Sequence, residues 1–172
     1  MGKSTFLVSL LFVLIAQPLF AQENASDILG KAYVQAKQEN KNVFLIFHAS
    51  WCGWCKKMDQ NMNDDSCKDL FAKNYVIVHL VVQESDNNKH LENPGADEVL
   101  KKYKGEKSGI PFWLIFNKDG KLLEDSFNSS GQNIGCPATG EEVAEFISIL
   151  KNTSDMTINE LEVIASKFRI KE

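Results

Sequence analysis

Five consecutive apolar residues, Val43-Phe44-Leu45-Ile46-Phe47, stand shortly ahead of the segment Cys52-Gly53-Trp54-Cys55. The run is far too short to span a bilayer, which takes ~20 apolar residues as a helix. It also lacks the in-out alternation of a strand with one wet face. It has the pattern of a strand buried on both faces, so helices must cover the sheet above and below. Tyr75-Val76-Ile77-Val78-His79-Leu80-Val81-Val82 reads as a second strand of the same kind. The cysteine pair therefore leaves the end of an interior strand and opens the segment that follows.

The remaining elements fit around these two strands. Asp27 to Asn40 is expected to be helical, capped by Ser26 or Asp27, with Ile28, Ala32, Val34 and Ala36 as its apolar positions. Cys52 to about Met62 reads as a helix, interrupted by Asn63-Asp64-Asp65 and followed by a second stretch, Ser66 to Asn74, with Leu70 and Phe71 inward. A polar loop covers Gln83 to Gly95, and a helix covers about Ala96 to Tyr103. Phe112 to Phe116 and Lys121 to Phe127 flank Asn117-Lys118-Asp119-Gly120, a hairpin signal because Asp-Gly accepts positive φ. After a Ser-, Asn- and Gly-rich loop, Asn128 to Gly140, come helices Glu141 to Leu150 and Thr157 to Phe168. The first turns Val143, Phe146, Ile147 and Leu150 inward; the second does so with Ile158, Leu161, Ile164, Ala165 and Phe168. This order implies an α/β fold: a mixed central sheet between helical layers, plus an extra C-terminal helix.

Residues 1–21 stand apart from that core. Lys3, the apolar run Phe6 to Ala16 broken only by Ser9, and Leu19-Phe20-Ala21 have the form of a secretory signal peptide cleaved before Gln22. An uncleaved anchor is the alternative, and the apolar stretch is short for one. No cysteine follows the cleavage point, which argues against a lipid anchor, and no later stretch is long enough to cross a membrane. The expected layout is a signal peptide at 1–21, one domain at 22–151 and a helical extension at 152–172 packed on it. The net charge of -4 is mild and the basic residues are scattered, so no nucleic-acid surface is expected. A periplasmic or secreted location would place the four cysteines in an oxidising compartment. Three Asn-x-Ser/Thr acceptor patterns, at Asn24, Asn128 and Asn152, matter only in a eukaryotic secretory route.

A helix N-terminus presents unpaired N–H groups and partial positive charge, which favour a thiolate. Cys52 at that terminus would be a partly exposed nucleophile. Cys55 lies one turn on, on the same face, and can attack a mixed disulfide to release its partner. A metal-ligand pair and an inert structural disulfide are the alternatives. A zinc site would need further ligands at suitable spacing, and His48, His79 and His90 are isolated in the sequence. No metal and no cofactor are expected.

The segment Phe47-His48-Ala49-Ser50-Trp51-Cys52-Gly53-Trp54-Cys55-Lys56-Lys57-Met58 resembles the active-site region of the thioredoxin superfamily, nearest to exported thioredoxin-like proteins with a Trp-Cys-Gly-Trp-Cys-Lys-Lys signature. Gly109-Ile110-Pro111-Phe112 resembles that family's second mark. The resemblance covers about residues 25–150 and implies a thioredoxin-like three-layer fold, with a cis peptide bond before Pro111 facing the cysteine pair. It further implies that Trp51, Gly53, Trp54, Ile110 and Pro111 meet an extended substrate chain, with Trp51 beside the site and Trp54 exposed. An ordinary strand-entry proline and ordinary packing tryptophans are the plain readings.

Two departures bear on the chemistry. Trp54 stands where thioredoxins proper carry proline, and Ile46 stands where they carry a buried acid that assists proton transfer. Water or Glu84 would have to take the Cys55 proton instead, although a solvated loop carboxylate is the plainer reading of Glu84. Cys67 and Cys136 admit three readings: a second disulfide, two buried thiols, or an accessory redox thiol. An unbroken helix from Cys52 would carry Cys67 about 22 Å away, but Asn63-Asp64-Asp65 breaks it.

The function that the resemblance implies is thiol–disulfide oxidoreduction, in the reductase direction, on protein disulfides outside the cytoplasm. Cys52 would be nucleophile and Cys55 resolving thiol, with protein thiols or disulfides as substrates and an upstream electron donor or acceptor as partner. A redox-idle binding or chaperone-like module and a peroxide-reducing thiol enzyme are the competing classes. The reduction potential sets the direction, and the sequence does not supply it. Nor does it set an oligomeric state.

Overall fold

The computed structural model describes residues 22–170; the expected signal peptide at 1–21 lies outside them. The elements, in chain order, are α1 (Ala25–Glu39), β1 (Asn42–His48), α2 (Gly53–Met62), α3 (Lys68–Asn74), β2 (Tyr75–Val81), α4 (Ala96–Lys102), β3 (Phe112–Phe116), β4 (Leu122–Asp125), α5 (Gly140–Thr153) and α6 (Ile158–Phe168), with a short 3-10 turn at Asp86–Leu91. The sheet order is β2-β1-β3-β4. β1 runs parallel to β2 and antiparallel to β3, and β4 closes the hairpin onto β3. This is the mixed sheet expected from the element order.

Strand alternation divides the interior into two layers. Val43, Leu45 and Phe47 of β1 pack with Phe112, Leu114 and Phe116 of β3 against Ala32 and Ala36 of α1 and Leu100 of α4. Phe44 and Ile46 face the other way, with Trp113 and Ile115, onto α2, α3, α5 and α6. There Phe71 stacks on Phe146 at 6.5 Å, and Phe146 meets Phe168 at 5.1 Å. The extra C-terminal helix is thus part of the second layer, through Leu161, Ile164 and Phe168. Lys167 of α6 also pairs with Asp64 in the turn between α2 and α3. Both late helices start on a capping box, Thr139 with Glu142 and Thr157 with Glu160.

Two expected core positions are solvent-exposed. Val34 lies two residues beyond Ala32, about 200° round the helix, so it faces water while Ala25, Ala32 and Ala36 face the sheet. Ile158 is the first residue of α6 and is exposed; Met156, just before the helix, fills the buried place ahead of Leu161. The cap of α1 is Asn24, whose side chain accepts the Ser26 amide, ahead of the expected Ser26 or Asp27. α5 continues three residues past Leu150 to Thr153, whose hydroxyl meets the buried Tyr75 hydroxyl at 2.7 Å.

Candidate active site

β1 ends at His48, and the chain turns through Ala49-Ser50-Trp51 into α2. Cys52 is the N-cap of α2, with extended backbone, and its Sγ accepts the Cys55 N–H at 3.0 Å. The two cysteines form a disulfide, with Cα atoms 5.3 Å apart. The first turn of α2 carries no acidic residue, so nothing there opposes the positive end of the helix. The helix arises here because Gly53 starts it without side-chain crowding and Cys55, Met58 and Met62 recur at helical spacing on the buried face. A Cβ at Gly53 would meet nothing within 4 Å, so the surface beside the pair is open there.

The Ile110–Pro111 peptide bond is cis. Its loop reaches the disulfide across the domain: the Ile110 carbonyl oxygen lies 3.5 Å from Cys52 Sγ. Ala49, Cys52 and Cys55 form a small buried cluster with Ile110 packed on it. Cys52 is only 3% exposed, against the partly exposed nucleophile expected from the sequence. The reason is that Ile110 covers a position that would stand open on an isolated helix end. Trp51 and Trp54 are both exposed, and the Trp51 indole N–H donates to the Gln83 carbonyl at 2.8 Å.

Three side chains far apart in sequence hold this region in shape. Glu84, at the loop after β2, is buried and accepts the Ser50 amide at 2.5 Å and the Ser50 hydroxyl at 2.8 Å. It is therefore neither a solvated loop carboxylate nor a group presented to Cys55; both its oxygens are engaged by Ser50. Burial pushes its pKa upward, but the two Ser50 hydrogen bonds and the nearby His48 outweigh that and hold it below the usual carboxylate range. On the other side of the disulfide, the Asn133 amide nitrogen lies 3.1 Å from the carbonyls of Ser108, Gly109 and Pro111. One side chain thus gathers the backbone on both sides of Ile110. The third, Trp113, donates its indole N–H to Gly135 at 2.9 Å and fastens the Asn133 loop to the sheet.

Two of the three histidines, His48 and His79, are not isolated. In the parallel β1–β2 pairing, His79 lies opposite Ile46, next to His48 on the same face. Their rings meet at 5.1 Å, and His79 Nε2 lies 2.9 Å from Asp59 Oδ1 of α2. Burial, then the neighbouring His79, lowers the His48 pKa, against the raising influence of Asp59 and Glu84. Ile46, the position of the missing acid, is itself fully buried among apolar neighbours. Among the described residues no group of three or more His, Cys, Asp or Glu is arranged to hold a metal ion.

Cys67 and Cys136 are free and buried in the same apolar layer, without the second disulfide that was one of three readings. Burial raises the pKa of both thiols, that of Cys136 to about 12. Sequence reading missed Asn133 and the role of Ser50 as the partner of Glu84. A polar residue in a polar loop looks alike whether it holds backbone or faces water.

The thioredoxin-like family model matches residues 25–118 of the chain. No curated protein matches the chain significantly. Among solved structures, a disulphide isomerase from Xylella fastidiosa Temecula1 is 22% identical, with a TM-score of 0.53 over 90% of this chain and 95% of that one. A DsbH oxidoreductase is also 22% identical, with a TM-score of 0.47 over 88% of this chain and 95% of that one. The C-terminal domain of DsbD from Neisseria meningitidis, in its oxidised form, is 21% identical, with a TM-score of 0.42 over 60% of this chain and 83% of that one. The first of these likenesses concerns the fold, over 90% of this chain.

Proposed function

The chain belongs to the thioredoxin-like family, and from that premise we propose that this thiol–disulfide oxidoreductase works as a reductase of protein disulfides outside the cytoplasm. The observation that carries the reading is the Cys52–Cys55 disulfide at the N-cap of α2, with the Ile110 carbonyl 3.5 Å from Cys52 Sγ. In the reduced chain, the Cys52 thiolate attacks one sulfur of a substrate disulfide. The substrate S–S bond breaks, one substrate thiolate leaves and takes a proton, and a Cys52–substrate disulfide forms. Cys55 then loses its proton and attacks Cys52 Sγ, expelling the second substrate thiolate. Two electrons pass to the substrate and the Cys52–Cys55 disulfide is left. An upstream thiol donor restores the pair.

The residues support these roles in different ways. The amide of Cys55 and the helix N-terminus favour negative charge on Cys52. Cys52 is the N-cap and Cys55 lies one turn on inside α2, placed to resolve rather than to attack first. Ile110 and Pro111 offer backbone to an extended chain, Gly53 leaves space beside it, and Trp51 and Trp54 supply exposed aromatic surface. Among the described residues no helix is long and apolar enough to cross a membrane. Export rests on residues 1–21, read as a signal peptide cleaved after Ala21; the mature domain then runs to about residue 151, with 152–172 as its extension.

Insulin reduction in dithiothreitol tests the activity. Cys52→Ser and Cys55→Ser are expected to abolish the acceleration; variants as active as the parent would sink the reading. Equilibration of the pair with glutathione gives the direction, a potential near that of thioredoxin, about -270 mV, supporting a reductase. A value near the strong periplasmic oxidants would reverse it. Fractionation and N-terminal sequencing of the expressed protein test export, with Gln22 as the expected first residue.

A further inference from the structure

The extra helix does more than complete the core. Past Phe168 the chain turns back toward the redox face, and the Ile170 amide donates to the Ala138 carbonyl at 3.1 Å. Ile170 is 52% exposed, and Trp54, in the first turn of α2, is 53% exposed. The two side chains line one groove of about 520 Å³, together with Ile110, Pro111 and Ile134. The groove is continuous with the disulfide, because Ile110 packs on the buried cysteine cluster and its carbonyl faces Cys52 Sγ. Its walls are also tied to one another. Asn133 gathers the loop on one side, and a Cβ at Gly135 would come within 3.5 Å of the Pro111 carbonyl, so the two loops lie close together.

The chemistry of the lining is lopsided. Trp54, Ile110, Ile134 and Ile170 give it apolar walls, while Ser108 and Asn133 are neutral. Its one carboxylate among the described residues, Glu142, accepts the amides of Ala138 and Thr139 on Oε2 at the start of α5. Among the described residues no basic side chain is part of the lining, while Lys57 acts on the lining thiol of Cys136 and Arg169 reaches Gly140 beside Thr139. The lining side chains themselves offer an acidic segment no cation, and an apolar side chain would shield Trp54 and Ile170 from water at once.

We propose that Ile170, just past α6, is a specificity element: it is the outer wall of a subsite that receives an apolar side chain of a polypeptide substrate, close in sequence to its reacting cysteine. The proposal rests on the oxidoreductase reading for the origin of its ligand, but the subsite can be tested without turnover. The probes are two fluorescein-labelled decapeptides with a central S-methylcysteine, one flanked by leucines and the other by aspartates. They are titrated by anisotropy into the oxidised full chain.

The leucine peptide is expected to bind about tenfold more tightly than the aspartate peptide. Ile170→Ser is expected to remove most of that preference, and Ile170→Leu to restore it. Val163→Ser, an exposed apolar residue of α6 outside the groove, is expected to bind as the parent does. Equal binding of the two peptides, or an Ile170→Ser chain that keeps the full preference, overturns the proposal. Insulin reduction by the same preparation separates the two claims. Reduction without peptide preference removes the subsite alone; peptide preference without reduction removes the reductase reading alone.

Discussion

Replacing Glu84 by Gln probes the clasp that leads into the cysteine pair. The carboxylate is buried and accepts both the amide and the hydroxyl of Ser50, two residues before Cys52. Hydrogen bonds to a charged acceptor contribute about 1.5–3 kcal/mol each, against about 1 for neutral pairs. Gln keeps one carbonyl for the Ser50 amide and turns an NH2 toward a hydroxyl able to accept. Shape and bond count survive; only the charge is lost. The expected cost is therefore about 1–2 kcal/mol at pH 7, or a fall in Tm of roughly 2–8 °C for a chain of this size. Glu84→Ala leaves the Ser50 amide without its partner and costs about 2–3 kcal/mol.

The acid dependence distinguishes charge from packing. The folded pKa of Glu84 lies below its unfolded value, so its contribution is present above the unfolded value, about 4.3. It is lost as the pH falls through the folded value. Urea unfolding of parent and Glu84→Gln at pH 7 and pH 3.5 is expected to show a gap that narrows in acid. Hydrogen exchange at the Ser50 amide reports the same clasp locally, slow in the parent and fast in Glu84→Ala. A gap that is absent at pH 7, or equal at both pH values, would refute the reasoning.

Three further outcomes follow from particular contacts. His48 has a folded pKa below that of the unfolded chain, so its contribution is full above about pH 6.5 and declines as the pH drops below it; urea unfolding at pH 7.5 and 5.5 should show the decline, and His48→Gln should flatten it. Phe168→Ala empties a fully buried site between Phe71 and Phe146, with an expected loss of about 3–5 kcal/mol by denaturant titration; a loss under about 1 kcal/mol would show that α6 is not part of the core. Cys67 and Cys136 are buried, raised-pKa thiols, so Ellman's reagent at pH 8 should find them unreactive in the native oxidised chain and reactive in guanidinium.

What could be read in the chain before its fold was known is whatever local chemistry determines. The buried run Val43–Phe47, the helix opened by Cys52 and the hairpin at Asp119-Gly120 each follow from residues within a few positions of one another. A strand's burial, a helix's start and a turn's φ are set over that distance. The cysteine motif was legible for the same reason, since one helical turn places Cys55 behind Cys52. Periodicity failed only where it was stretched, at Val34 and Ile158, which lie off the buried stripe or at its end.

Tertiary structure decided everything that joins distant positions. The parallel pairing of β1 and β2 sets His79 beside His48. The loop after β2 brings Glu84 to Ser50, the turn at Asn133 holds the backbone around Ile110, and the return of the chain after α6 carries Ile170 to the groove beside Trp54. Each of these contacts spans more than twenty residues, and in each nothing in the side chain's own stretch of sequence announces its partner. Sequence spacing encodes which face of an element is apolar; it does not encode which polar group another element will bring to it. The chain by itself thus determined that a redox pair sits at a helix end, and only packing decided what surrounds that pair, because hydrogen bonds and grooves between elements exist only once the elements are docked.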